Sequence, residues 1–133
     1  MKVLIVDDDP DVRAFLSNSM NIAGCEQIDM AVSGEDALGK TVVNTYDLVT
    51  LDLKMPGVSG LDIISVIRGM MPWAVIAIVS GYPEEVTDVA REHADLVLTK
   101  PVRLEKIKDL VALTQDLITK RADIRKLSDE EID

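Results

Sequence analysis

The chain holds a single cysteine and a single histidine. Cys25 has no partner for an internal disulfide, and Met1-Lys2 leads straight into an apolar segment without a signal-peptide pattern, so a reducing compartment, the cytoplasm, is expected. Cys25 itself, beside Gly24, reads as a small buried or half-buried residue in a connection. His93 has no second imidazole or thiol near it in sequence and reads as a solvent-facing helix end rather than a ligand or phosphodonor. No apolar run approaches the roughly 20 residues of a membrane span, which argues against insertion. Basic residues are also few, 14 against 24 acidic, for a formal charge of −10. Such a field repels phosphates and anionic membranes, so direct nucleic-acid binding is not expected. No Gly-x-Gly-x-x-Gly follows the first apolar run and no Gly-x-x-x-x-Gly-Lys-Ser/Thr occurs, which removes the dinucleotide and P-loop readings and leaves only a small phosphate.

What is present is a regular alternation. With 133 residues and 47% hydrophobic content the chain suits one domain with one real core. Apolar runs near 2–6, 27–31, 47–51, 74–79 and 95–98 alternate with amphipathic segments near 10–23, 34–45, 60–70, 84–92 and 103–120, the pattern of a parallel α/β sheet with five helices covering both faces. The first, third and fourth runs are continuously apolar, as strands buried on both sides should be. Asp9-Pro10, Ser33 with Asp36, and Ser59 with Asp62 read as helix starts. Met70-Met71-Pro72-Trp73 reads as a helix end and turn, with Trp73 a usable fluorophore.

Chemistry gathers at the carboxyl ends of the strands. Val3-Leu4-Ile5-Val6 runs into Asp7-Asp8-Asp9, Leu51 into Asp52, Val79 into Ser80-Gly81, and Leu98 into Thr99-Lys100-Pro101. In an open parallel sheet the ligand crevice lies beyond those ends. Asp8 and Asp52 suit Mg²⁺ as direct ligands, Asp7 through water, and the backbone carbonyl of Lys54 can supply another oxygen. A cation there would keep Asp52 ionised and nucleophilic. Attack by Asp52 on a phosphoryl donor gives an acyl phosphate, with Mg²⁺, the Lys100 ammonium and the Ser80 hydroxyl available to the three phosphoryl oxygens. Asp9 is expected to act as a helix cap rather than a ligand.

Val6-Asp7-Asp8-Asp9-Pro10, the run from Tyr46 to Gly57, Gly60-Leu61, Ser80-Gly81 and Leu98-Thr99-Lys100-Pro101 together resemble the receiver domain of two-component response regulators. The resemblance covers residues 1–118. It implies a flavodoxin-like, doubly wound five-stranded sheet of order 2-1-3-4-5, a cis peptide between Lys100 and Pro101, and transfer of a phosphoryl group to Asp52 from a sensor histidine kinase or histidine phosphotransfer protein. Asp7, Asp8, Ser80 and Lys100 carry over position by position. The expected output is a changed binding surface read by a downstream protein or by an effector domain outside this sequence, and a homodimer is a further expected association. Turnover of a separate substrate is not expected, because Lys54 stands where phosphohydrolases with an Asp nucleophile place their second Asp.

Some positions depart from the family pattern. Val97 stands where members carry Tyr or Phe, and a short, stiff valine cannot signal by ring rotation. The interval from Ser80 to Lys100 is shorter than usual, and His93 replaces the glycine that closes the fourth helix. Lys54 and Tyr82, at the two positions that set phosphate lifetime in the family, are bulky, so slow self-hydrolysis is expected. A receiver-like interaction module with phosphorylation-independent output is the alternative reading. Residues 119–133 change character: the fifth helix is expected to extend past the domain or to start a linker, and Ser128-Asp129-Glu130-Glu131 resembles a capping box that opens another helix, with a frayed, charged tail as the alternative.

Overall fold

The computed structural model describes residues 1–131. Along the chain lie β1 (Lys2–Val6), α1 (Pro10–Ile22), β2 (Gln27–Ala31), α2 (Gly34–Val43), β3 (Leu48–Leu51), α3 (Gly60–Met70) and β4 (Val75–Ser80). A 3₁₀ turn (Pro83–Glu85), α4 (Asp88–His93), β5 (Leu96–Thr99) and α5 (Leu104–Arg125) follow. The five strands pair in parallel in the order β2-β1-β3-β4-β5, the flavodoxin-like arrangement expected.

Because side chains alternate along a strand, each strand feeds two cores. Leu4, Val6, Val49, Leu51, Ile76 and Ile78 pack with Ile63, Ile64, Ile67 and Ala90 of α3 and α4 on one face. Val3, Ile5, Leu48, Ala77 and Val79 pack with Leu16, Met20, Ile107 and Val111 of α1 and α5 on the other. Cys25 is buried in this second core. Burial on both faces accounts for the continuous apolar runs in β1, β3 and β4.

The caps read from sequence are formed. Asp9 Oδ1 accepts from Asp11 N at 2.9 Å, Ser33 Oγ from Asp36 N at 3.1 Å, and Asp62 Oδ2 from Ser59 N at 3.0 Å. Each satisfies a donor that the first helical turn would otherwise leave unpaired.

The helix expected over 84–92 is broken. Pro83 opens a single 3₁₀ turn, Val86 is extended, and Thr87 starts a new helix by accepting from Ala90 N at 3.1 Å. Val86 turns into the core beneath, and burying it there outweighs continuing the helix. α5 runs to Arg125, five residues past its expected end. No helix opens at Ser128: its hydroxyl accepts from Glu130 N at 3.2 Å and residues 129–130 form a bend, while Ile132 and Asp133 lie outside the described residues. His93 ends α4 as expected but is half-buried, its carbonyl accepting from Arg68 Nε at 2.8 Å. No helix among the described residues is long and apolar enough to cross a membrane.

Candidate functional site

β1 and β3 are neighbours, with Val6 opposite Leu51, so the residues that follow them emerge side by side. Asp52 N donates to Val6 O at 2.9 Å and Asp7 N to Ala31 O at 3.1 Å, which extends the ladder one step and orients both carboxylates. Asp7 and Asp52 are buried, Asp8 is exposed, and the three offer carboxylate oxygens within 4.8 Å of one another. Gly60, at the start of α3, packs against the backbone carbonyl of Asp52, with which a Cβ there would collide. Gly57 supplies the positive φ, 73°, that turns the β3–α3 loop.

Lys100 arrives from the far side of the sheet. Its amide donates to Ser80 O at 2.8 Å, the following bond to Pro101 is cis, and its ammonium lies 2.8 Å from Asp7 Oδ2 and 3.5 Å from Asp52 Oδ2. Burial opposes the Lys100 charge, but the hydrogen bond and charge of Asp7, with the charge of Asp52, outweigh it and raise the ammonium's pKa. The Lys100 ammonium is the close cation of Asp7 Oδ2, a buried oxygen with no other polar partner among the described residues.

Asp52 is the perturbed carboxylate. Burial is the largest cause; the backbone N–H of Lys54, which donates to Oδ1 at 3.1 Å, opposes it; the charge of Asp7 adds, Lys100 subtracts and Asp8 adds. The result is a pKa raised to about 6. A buried acid held between two other carboxylates and a single ammonium is short of positive charge, and a divalent cation supplies it. The donors are hard oxygens, the set that Mg²⁺ or Ca²⁺ takes rather than a thiolate- or imidazole-seeking metal.

Ser80, at the end of β4, is buried, and its hydroxyl oxygen accepts from Tyr82 N at 3.0 Å. Lys54 and Tyr82, paired in the sequence only by their place in the family pattern, touch: the Lys54 ammonium sits 4.7 Å from the Tyr82 ring centroid and 2.7 Å from Glu85 Oε2. Glu85 was missed because nothing in a loop sequence signals a partner 31 positions back. Arg13 was missed as well; its guanidinium donates to Asp7 O at 2.8 Å and braces the turn after β1. Val97 is half-buried against the core on the α3–α4 face. Trp73 stands before β4, at the opposite end of the sheet from Asp52, and donates to Tyr46 O at 3.2 Å.

A doubly wound α/β domain with three clustered carboxylates, a lysine and a hydroxyl at the carboxyl edge of its sheet is built for handling a small phosphoryl group beside a cation. The chain belongs to the response regulator receiver domain family, whose model matches residues 3–112. It is 33% identical to the transcriptional regulatory protein PrrA of Mycobacterium tuberculosis, over 98% of this chain and 55% of that protein. A protein-glutamate methylesterase of Archaeoglobus fulgidus is 32% identical over 90% of this chain and 35% of its own length. The chain thus spans about half, or less, of the length of these relatives. Among solved structures, the response regulator TrrA of Thermotoga maritima in complex with Mg²⁺-BeF is 36% identical, covers 86% of this chain and 99% of its own, and has a TM-score of 0.77. TrrA has also been solved in complex with the histidine kinase ThkA, with a TM-score of 0.74 to this chain at 36% identity, covering 86% of this chain and 98% of TrrA.

Proposed function

We propose that the chain accepts a phosphoryl group on Asp52 from a phosphohistidine of a sensor histidine kinase or histidine phosphotransfer protein. The observation that carries this reading is one buried carboxylate, Asp52, set among Asp7, Asp8 and Lys100 at the mouth of the sheet. Asp7, Asp8, Asp52 and the Lys54 carbonyl would hold Mg²⁺, which when bound supplies positive charge to the phosphoryl oxygens and to the nucleophile.

A carboxylate oxygen of Asp52 forms the new P–O bond as the donor's P–N bond breaks; the imidazole leaves with the electron pair and takes up a proton. Lys100, freed from Asp52 as that charge is consumed, turns its ammonium to a phosphoryl oxygen. Ser80 has a hydroxyl proton committed to no acceptor among the described residues and donates it to a second oxygen. Hydrolysis by water regenerates the carboxylate and releases inorganic phosphate, so the chain assists its own cycle and turns over no separate substrate. Lys54 and Tyr82, joined over the site's rim with Glu85, restrict the water's approach and prolong the signal.

An apolar groove of about 390 Å³, walled by Val12, Phe15, Leu16, Pro101 and Val102 beside Lys100, is where the phosphohistidine carrier docks. Residues 1–118 constitute the receiver unit and 119–133 a helical extension or linker, the output being read by a downstream protein or an effector domain in the cytoplasm. With Val97 unable to swing a ring, the change at Ser80 is passed through the short turn and α4.

Intact mass of the chain with Mg²⁺ and acetyl phosphate tests the reading. A magnesium-dependent gain of one phosphoryl group, absent in Asp52→Ala, is expected. A folded protein that takes up none would instead support an interaction module indifferent to phosphorylation.

A further inference from the structure

At the amino-terminal edge of the sheet, opposite Asp52, lies a polar cavity of about 410 Å³ that phosphoryl transfer does not use. It is walled by Asp47 and Trp73 from the loops before β3 and β4, and by Ile118, Arg121, Ala122 and Arg125 of α5. Those four helical positions fall at i, i+3, i+4 and i+7, a single face. The volume is within the roughly 300–1,000 Å³ of small-molecule sites.

The walls are held before any ligand arrives. Asp47 N donates to Lys2 O at 2.8 Å and Val75 N to Asp47 O at 2.9 Å, which ties Asp47 into the sheet. The Trp73 indole donates through Nε1 to Tyr46 O at 3.2 Å, and Arg121 Nη1 donates to Trp73 O at 2.9 Å, yet Trp73 stays 39% exposed, enough to offer ring surface to a ligand. An acid and two guanidiniums line this one cavity, and neither Arg121 nor Arg125 is paired with a carboxylate among the described residues. Asp47 Oδ2 accepts from Lys2 N at 2.8 Å, and Oδ1 takes no protein donor among the described residues.

We propose that this cavity binds a guanine nucleotide. A flat base stacks on the tethered indole. Guanine carries two adjacent donors, N1–H and N2–H, along one edge, and the Asp47 carboxylate accepts from them. Adenine offers a single amino group flanked by ring-nitrogen acceptors, whose lone pairs the carboxylate repels. Arg125 lies one turn beyond Arg121, about 6 Å along α5, so the base end and the phosphate end of the cavity are separated, and the guanidinium fork meets the phosphate. The net charge of −10 gives an anion no long-range steering, so the attraction comes from these two arginines. The proposal stands apart from the phosphoacceptor reading and is tested without Mg²⁺ or a phosphodonor.

Trp73 is the chain's only tryptophan, so its emission reports on this cavity. Titration of the chain with GMP, followed by Trp73 emission and by calorimetry, should saturate at one nucleotide per chain. AMP and guanosine should each bind about tenfold more weakly or worse, the loss of a charge-assisted contact. Arg125→Ala, at the exposed end of α5, should bring GMP down to the level of guanosine with Tm unchanged. Asp47→Asn keeps an oxygen for Lys2 N and places an amide N–H where Oδ1 stood. That variant should lose about tenfold for GMP and prefer xanthosine monophosphate, which carries a carbonyl in place of the 2-amino group. No saturable binding of GMP, AMP bound as tightly as GMP, unchanged GMP binding in Arg125→Ala, or an Asp47→Asn protein that still prefers GMP to xanthosine monophosphate would each overturn the proposal.

Discussion

Replacing Asp52 by Asn should stabilise the metal-free protein, and the pH dependence of that gain identifies its cause. The folded state holds the Asp52 carboxyl at about 6, chiefly because it is buried, against 3.8 for an unperturbed aspartate. A raised acid stabilises the fold only while it is protonated: its contribution is equal to that of a neutral residue well below 3.8 and is lost as pH rises through about 6. A rise from 3.8 to about 6 corresponds to about 3 kcal/mol at pH 7.5, shrinking to about 1 kcal/mol at pH 4.5 where most of the folded population is protonated. Asparagine keeps the Oδ1 that accepts from Lys54 N and removes the charge. Thermal unfolding in EDTA should therefore give Asp52→Asn a Tm roughly 10 °C above wild type at pH 7.5, using ~3–4 °C per kcal/mol for a domain of this size, and a much smaller advantage at pH 4.5. Mg²⁺ at ten times its Kd should recover roughly 1.4 kcal/mol for wild type and less for the variant, which has lost a ligand charge. An Asp52→Asn protein no more stable than wild type at pH 7.5, or one whose advantage is the same at both pH values, would refute the account of the site as short of positive charge.

Three further outcomes follow from the same geometry. Lys100→Met should destabilise the protein at neutral pH by roughly 1–3 kcal/mol, because Asp7 and Asp52 lose the ammonium they share, and adding Asp52→Asn should restore more than its separate gain predicts; strict additivity in urea titrations would contradict the coupling. Tyr46 is buried, and its hydroxyl donates to Asp29 Oδ2 at 2.7 Å, so Tyr46→Phe should cost about 1–2 kcal/mol in equilibrium unfolding, while Asp29→Asn in the Phe background should cost almost nothing more. Lys54→Ala with Tyr82→Ala should shorten the half-life of phosphorylated Asp52 several-fold by opening the rim, followed by intact mass over time; an unchanged half-life would mean that the rim does not limit water.

The helix near residue 90 and the contacts around the rim show where sequence patterning stops being informative. Strands and caps were legible because each is a local event: four to six apolar residues in a row, or a hydroxyl or carboxylate two or three positions away from an amide it can accept from. The site residues were legible for a related reason, since a parallel sheet sends every strand's carboxyl end to the same edge, and Asp7, Asp8, Asp52, Ser80 and Lys100 all sit there in sequence. Periodicity alone ran 84–92 together, because it does not weigh the burial of Val86 in the α3–α4 core against one more helical turn.

The amino-acid sequence by itself determined the strand count, the starts of the first three helices, the acidic edge and the family to which the chain belongs, all carried by short-range pattern and by motif order. Tertiary structure decided the rest. It placed Lys100 nearer Asp7 than Asp52, drew Lys54 to Glu85 and Tyr82, set Arg13 beneath Asp7, and left one row of α5 uncovered while covering the row beside it. Those outcomes depend on how strands register and how helices pack across tens of residues, and a distance set by packing has no local signature in the chain.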